Sequence, residues 1–164
     1  MRPTPNSMTA DDPAYRAWER GLRRRCRDAR MACGLTMIEV EALGISGGTI
    51  LAIESGTSQN VFLDQVLKMA GCYNVAFRGL VLGSEAQPHL EDPVLLHAHF
   101  RAALRRDRVR AGFGNDTLNR ATGQNPTSRA TTRMESGELN RIDLLRTYRV
   151  AHALGVPYTS WIRP

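Results

Sequence analysis

Apolar side chains recur every three or four positions along most of this chain, the period of a helix that buries one face. Tyr15, Trp18, Leu22, Cys26 and Ala29 form the first stripe, behind Asp12 and Pro13, an N-cap side chain followed by a ring that fits a first helical turn. The stripe predicts a helix from Pro13 to about residue 33, ended by Gly34, and shorter helices over 37–43, 47–55, 61–71 and 77–81. A second series begins at Asp92-Pro93. It predicts a helix to Ala111 with the stripe Leu96, Phe100, Ala103 and Leu104, a break at Gly112, and helices over 116–121, 128–135 and 142–154. Gly155-Val156-Pro157 ends the last helix, and Trp161-Ile162 is expected to pack back onto it. Residues 1–11 are polar and proline-bearing with no period, which predicts a flexible arm, and the acidic stretch 82–91 reads as a linker. Every predicted element is helical, so the expected fold class is all-α.

The two series repeat one another. Glu54-Ser55-Gly56 returns as Glu135-Ser136-Gly137 and Asn74-Val75 as Gly155-Val156, both 81 residues on. Asp12-Pro13 returns as Asp92-Pro93 after 80, and Leu22-Arg23-Arg24 as Leu104-Arg105-Arg106 after 82. Self-similarity at a fixed period marks a duplicated unit. Two small domains are therefore expected, 12–81 and 92–164, each of four to five helices and each near the lower size limit for an independent core. No separate ligand-sensing, protease or oligomerisation domain is expected.

Charge points to an anionic partner. The chain of 164 residues carries a formal net charge of +6, and all of its 22 basic residues except Lys68 are arginine. Arginine forks bidentately onto phosphates and guanine edges, whereas lysine is a point charge; a biased codon usage would also favour it. Cys26, Cys33 and Cys72 are odd in number and lack the paired short spacing of a zinc site or a disulfide framework. Buried thiols in a reducing cytoplasm are expected. There is no apolar run of membrane-spanning length and no signal-peptide pattern. His89, His97, His99 and His152 are scattered, and the glycines form no phosphate-cradling loop, so neither an enzyme, a metal, a cofactor nor a small-molecule ligand is expected.

Both copies share a further set of marks: Gly34-Leu35-Thr36, Leu43-Gly44-Ile45-Ser46, Thr49-Ile50 and Ile53-Glu54-Ser55-Gly56 in the first; Gly112-Phe113-Gly114-Asn115, Leu118, Gly123, Met134-Glu135-Ser136-Gly137 and Ala153-Leu154-Gly155-Val156 with Trp161 in the second. In order and spacing these resemble the lambda-repressor/Cro (XRE-like) helix-turn-helix domain. The resemblance covers 12–81 and 92–162, nearly the whole chain. The first copy is one residue short between Gly34 and Gly44, and the second about two residues long between Gly123 and Glu135. The family resemblance implies that Arg30 pairs with Glu54 and Arg108 with Glu135, locking helix 3 against helix 1. It also implies that Asn115, with Thr127, contacts DNA phosphates.

A recognition helix reads sequence through side chains that reach base edges in the major groove. Counted back from Glu135, the second copy turns Ser128, Arg129, Thr132 and Arg133 outward, a face able to read bases. The first copy offers Gly47, Gly48, Leu51 and Ala52 at those positions and Met37 at the phosphate position. Met37, Leu51 and Ala52, with Ile38, form either an apolar surface for self-association or a protein partner, or simply core displaced by the deletion. The runs Arg23-Arg24-Arg25 with Arg27, and Arg105-Arg106 with Arg108 and Arg110, are read as the solvated face of helix 1. The expectation is a cytoplasmic, sequence-specific regulator of transcription that binds double-stranded DNA through its second copy, a repressor of the phage-immunity or mobile-element kind. The rival is an adaptor or antiactivator that binds another regulator through its first copy.

Overall fold

A computed structural model describes residues 4–84 and 91–162. Among these residues there are ten helices and no strands beyond one isolated bridge. α1 (Pro13–Cys33) starts where the Asp12 carboxylate accepts from the backbone N–H groups of Ala14 and Tyr15, and ends at Gly34 in the left-handed region, φ 73°. α2 (Met37–Ala42), α3 (Gly47–Ser55), α4 (Leu63–Tyr73) and α5 (Phe77–Leu82) complete the first copy. α6 (Pro93–Ala111) starts on Asp92 as α1 starts on Asp12, and α7 (Asn115–Ala121), α8 (Ala130–Ser136), α9 (Leu144–Ala153) and α10 (Thr159–Ile162) follow. The described residues make an all-α fold.

Both length differences between the copies are absorbed locally. α2 has six residues and α7 seven, which accounts for the residue missing between Gly34 and Gly44. The extra residues before Glu135 form a turn rather than helix. Asn125 Oδ1 accepts from the backbone N–H of Thr127 at 3.0 Å and from its hydroxyl at 2.9 Å, and the Ser128 N–H bonds the Asn125 carbonyl at 2.9 Å. Pro126 sits inside this turn, where its fixed φ suits the second position. Consequently α8 starts at Ala130, and not at 128 as the helical period predicted.

The internal register also differs from the one the sequence match suggested. Buried Arg23 donates to the carbonyls of Ile53 and Ser58, both at 2.8 Å. Arg101 donates to those of Met134 at 3.0 Å and Leu139 at 3.2 Å, the residues 81 positions on. Arg23 therefore corresponds to Arg101, 78 residues away, the offset that relates Gly34 to Gly112; Leu104-Arg105-Arg106 is a chance echo of Leu22-Arg23-Arg24. α1 is two residues longer than α6, 21 against 19, which reconciles the offset of 80 at the helix starts with 78 at their ends.

The buried apolar side chains of the two copies form one continuous core. Phe62 and Asp143 face each other in an antiparallel bridge, flanked by Leu63 N–H to the Ile142 carbonyl and Leu144 N–H to the Val61 carbonyl, both at 2.8 Å. This bridge takes up residues that the period assigned to helix, so α4 and α9 start at 63 and 144 rather than at 61 and 142. Beside it the Trp18 ring stacks on Tyr148 with centroids 3.9 Å apart, and Tyr158 meets both rings edge-on. Tyr15 adds its own contact to Tyr148. The indole N–H of Trp18 donates to the Val81 carbonyl at 3.0 Å, which ties the cluster back to α5.

From residue 4 onward the expected flexible arm is docked. Met8 is buried, its N–H bonds the Ala121 carbonyl at 2.9 Å, and Asn6 donates to the carbonyls of Ala153 and His152. The arm thus supplies donors to the last carbonyls of α7 and α9, Ala121 and Ala153, adds a further one to His152, and gives an apolar side chain to the core. Residues 1–3 of the arm and 85–90 of the expected linker lie outside the described residues.

α10 packs on α6 through Trp161, whose indole N–H donates to buried Asp107 at 2.8 Å. Burial pushes the Asp107 carboxyl up, but hydrogen bonds from Arg106 and Trp161 and the nearby charges of Arg106 and Arg110 outweigh it and hold the group below its ordinary range. A carboxyl depressed on folding contributes stability that is complete above its unfolded pKa, about 3.9, and is lost as pH falls through the folded value. Asp107→Asn is expected to cost about 2 kcal/mol at pH 7 and to flatten the fall in stability below pH 4, measured by urea denaturation across a pH series. Trp18→Ala should cost about 3 to 5 kcal/mol and lower a single unfolding transition shared by both copies. Two separated transitions in the unmutated chain would contradict the continuous core.

Candidate nucleic-acid interface

Each copy clamps the C-terminal end of its third helix in the same way. Arg30 reaches both Glu54 oxygens at 2.7 and 2.9 Å, and Arg108 both Glu135 oxygens at 2.7 Å. The glutamate side chains are nearly buried, 5% and 6% exposed, so these are forked, charge-assisted pairs shielded from solvent. Hydrogen bonding to the paired glutamate pushes both guanidiniums above their ordinary range. The Arg23 and Arg101 bonds described above fall at the same helix ends, where a cation also suits the negative pole of the helix. Arg25 does the like for α5, donating to the Leu80 carbonyl at 2.7 Å and the Val81 carbonyl at 3.0 Å. Arg23 and Arg25 are thus framework residues and not part of a solvated face. The sequence signal that could have found Arg23 and Arg101 is the offset of 78 already present in the Arg30 and Arg108 locks.

The outward residues of the second copy divide into two groups. Arg129, Thr132 and Arg133 are exposed, while Thr131 and Met134 turn into the core. Arg129 precedes the first turn of α8 and carries no side-chain bond among the described residues; Arg133 holds Glu138 at 2.9 Å in an open surface pair. Ser128 does not belong to the helix. Its hydroxyl accepts from the Ala130 N–H at 3.3 Å, and its carbonyl accepts from Asn115 Nδ2 at 2.6 Å and Asn119 Nδ2 at 2.7 Å. Ser128 is accordingly a joint between α7 and α8, because the Asn125–Ser128 turn displaces it from the reading face.

Asn115 lies at the start of α7, and half-buried, with its amide on Ser128 and its Oδ1 accepting from Thr132 at 3.4 Å. One amide proton remains for an outside acceptor. Thr127 is exposed in the turn, its hydroxyl bound to Asn125. Arg129, Thr132 and Arg133 are therefore brought to one surface with Thr127 and the edge of Asn115, while Ser128 supports that surface from beneath.

In the first copy the corresponding surface is apolar, and smaller than the sequence suggested. Gly47 is buried: a Cβ there would stand 2.6 Å from Glu41 Oε1 and 2.8 Å from Met37 Cγ. Its N–H donates to the Glu41 carboxylate at 2.7 Å. A side chain at 47 would thus have to displace those of Glu41 and Met37, whereas Gly48 faces open space. Met37 is half-buried against the core and Ala52 is half-buried, so neither is a free surface residue. Ile38, 78% exposed, and Leu51, 53% exposed, carry the apolar character.

Outside these faces, Arg20, Arg24 and Arg27 remain exposed on α1 beside Ser55 and Gly56 and take part in no ion pair among the described residues. Burial pushes the Cys26 thiol up to about 12, which keeps it protonated and unreactive. All three cysteines are free, and only Cys26 is fully buried. No group of three or more His, Cys, Asp or Glu side chains among the described residues is placed to hold a metal ion, and no helix among them is long and apolar enough to cross a membrane. No protein-family model, curated protein or solved structure matches the chain.

Removing one partner of a shielded ion pair strands the other charge. Arg108→Met and Glu135→Gln are each expected to cost about 3 kcal/mol, and the double variant clearly less than their sum. Additive losses in a double-mutant cycle would mean that the pair contributes nothing as a pair.

Proposed function

We propose that the chain is a double-stranded-DNA-binding regulator of transcription built from two lambda-repressor-like helix-turn-helix units, 12–81 and 92–164, in which α8 is the reading helix. The observation that carries this reading is the exposed set Arg129, Thr132 and Arg133 on a helix whose far end is fixed by Arg101 and by the Arg108–Glu135 pair. A reading helix must hold its side chains steady, and this one is restrained where it does not face outward. Its counterparts 81 residues earlier, Gly48, Leu51 and Ala52, have no side-chain donor or acceptor.

With α8 in the major groove, Arg129 and Arg133 direct guanidinium groups to guanine O6 and N7 or to phosphates, Thr132 offers a hydroxyl and a methyl, and Thr127 and the remaining Asn115 proton serve the backbone. Arg133 has to leave Glu138 to do so, at a cost of less than about 1 kcal/mol for an exposed pair. The excess of arginine over acidic residues adds affinity that is independent of sequence and falls with salt. Occupying an operator excludes polymerase, the mode of a cytoplasmic repressor of a phage or mobile element. A second reading rests on exposed Ile38 and Leu51, which suit an adaptor or antiactivator whose first copy docks on another regulator or on itself.

Arg129→Ala or Arg133→Ala should weaken binding to a duplex selected from a random pool by about 1 to 3 kcal/mol and relax base preference, read by fluorescence anisotropy at fixed salt. Unchanged affinity in both variants removes α8 as the reader. Light scattering on Leu51→Asp tests the second reading, which requires a self-associated state in the unmutated chain that this change dissolves, or a bound regulator that it releases.

A further inference from the structure

The two backbone bonds of the bridge that joins the copies are the same when the copies are exchanged. Leu63 donates to the Ile142 carbonyl and Leu144 to that of Val61, and each pair of counterparts is 81 residues apart. Phe62 and Asp143, also 81 apart, face one another at the centre. A contact in which residue i meets j′ and j meets i′ is the signature of a twofold interface. The helix starts follow the exchange only in part: Tyr15 near the start of α1 lies against Tyr148 of α9, and Pro93 and Glu91 at the start of α6 border a groove with Leu67, the counterpart of Tyr148, but Leu95, the counterpart of Tyr15, is exposed.

We infer that the protein is a dimer fused into one polypeptide, whose local twofold through Phe62 and Asp143 presents α3 and α8 to two neighbouring half-sites of one duplex, with base readout confined to the half-site under α8. The inference rests on α8 being the reader. Twofold proteins place their paired helices on half-sites one helical turn apart. In this chain the twofold is built in, and the docked arm and the shared core hold it without a second copy. The two half-sites are unequal because the two faces are. Arg129, Thr132 and Arg133 meet one, and Gly48 and Leu51 meet the other. The second half-site contributes backbone contact and shape but not sequence.

The test uses the full chain on a duplex selected from a random pool. Hydroxyl-radical footprinting should protect two segments about one helical turn apart, and light scattering should give one chain per duplex. Base substitutions in one segment should lower affinity at least about tenfold, and in the other less than about twofold. Gly48→Arg combined with Leu51→Thr, both at exposed positions of α3, should make the silent segment base-sensitive. Protection of a single segment, or two chains per duplex with both segments read, overturns the fused dimer while leaving α8 as the reader. If no sequence is enriched from the pool, the α8 reading fails and the inference falls with it.

Discussion

Two backbone hydrogen bonds at the centre of the molecule, Leu63 to Ile142 and Leu144 to Val61, set the relation between its two copies, and the rest of the architecture follows from them. A bridge of this kind fixes direction and register at once, because a slip by one residue would turn Val61, Leu63, Ile142 and Leu144 out of the core. With the register fixed, Trp18 stacks on Tyr148 and Tyr158 closes the cluster edge-on, the perpendicular geometry that aromatic rings prefer. Neither 70-residue copy has to complete a core alone, a demand that domains of that size meet only marginally. Asp143 bears part of the cost: burial pushes its carboxyl up, and the backbone N–H groups of Leu145 and Val61 partly compensate.

Around this seam the copies have kept their framework and diverged on one face. Arg30–Glu54 and Arg108–Glu135 have the same forked geometry, and Arg23 and Arg101 reach corresponding carbonyls, so the third helix is held alike in both. The divergence has a packing reason on one side: the Met37 and Glu41 side chains of α2 lie so close to position 47 that any side chain there would have to displace them. On the other side the Asn125–Ser128 turn gives the start of α8 a different support, with Asn115 and Asn119 gripping the Ser128 carbonyl. Restraint of one helix face by polar contacts, next to arginines exposed on the other, is the physical content of the DNA-reading proposal.

Much of this was legible in the sequence. The spacing of Tyr15, Trp18, Leu22 and Cys26 and the Asp-Pro starts at 12 and 92 specify helices through local rules, capping and period, that need no long-range information. The Arg-Glu locks were legible through the family resemblance. Arginine 23 was not, because a charged side chain within a run of charges gives no local sign that its guanidinium reaches carbonyls 30 and 35 residues away. Nor was the arm, whose polar composition describes an unstructured segment unless Met8 has an apolar site to fill and α7 and α9 have carbonyls to cap.

By itself, the sequence determined the helices, their duplication and the contrast between Gly48-Leu51-Ala52 and Arg129-Thr132-Arg133, since each depends on residues close along the chain. Only the tertiary structure decided which of those residues face outward, that Ser128 and Gly47 do not, and how one copy meets the other. Those outcomes turn on contacts between segments up to about 146 residues apart, such as Asn6 with His152. Helical periodicity records which side of a helix is apolar, but what that side packs against is fixed only when distant backbone groups find their partners.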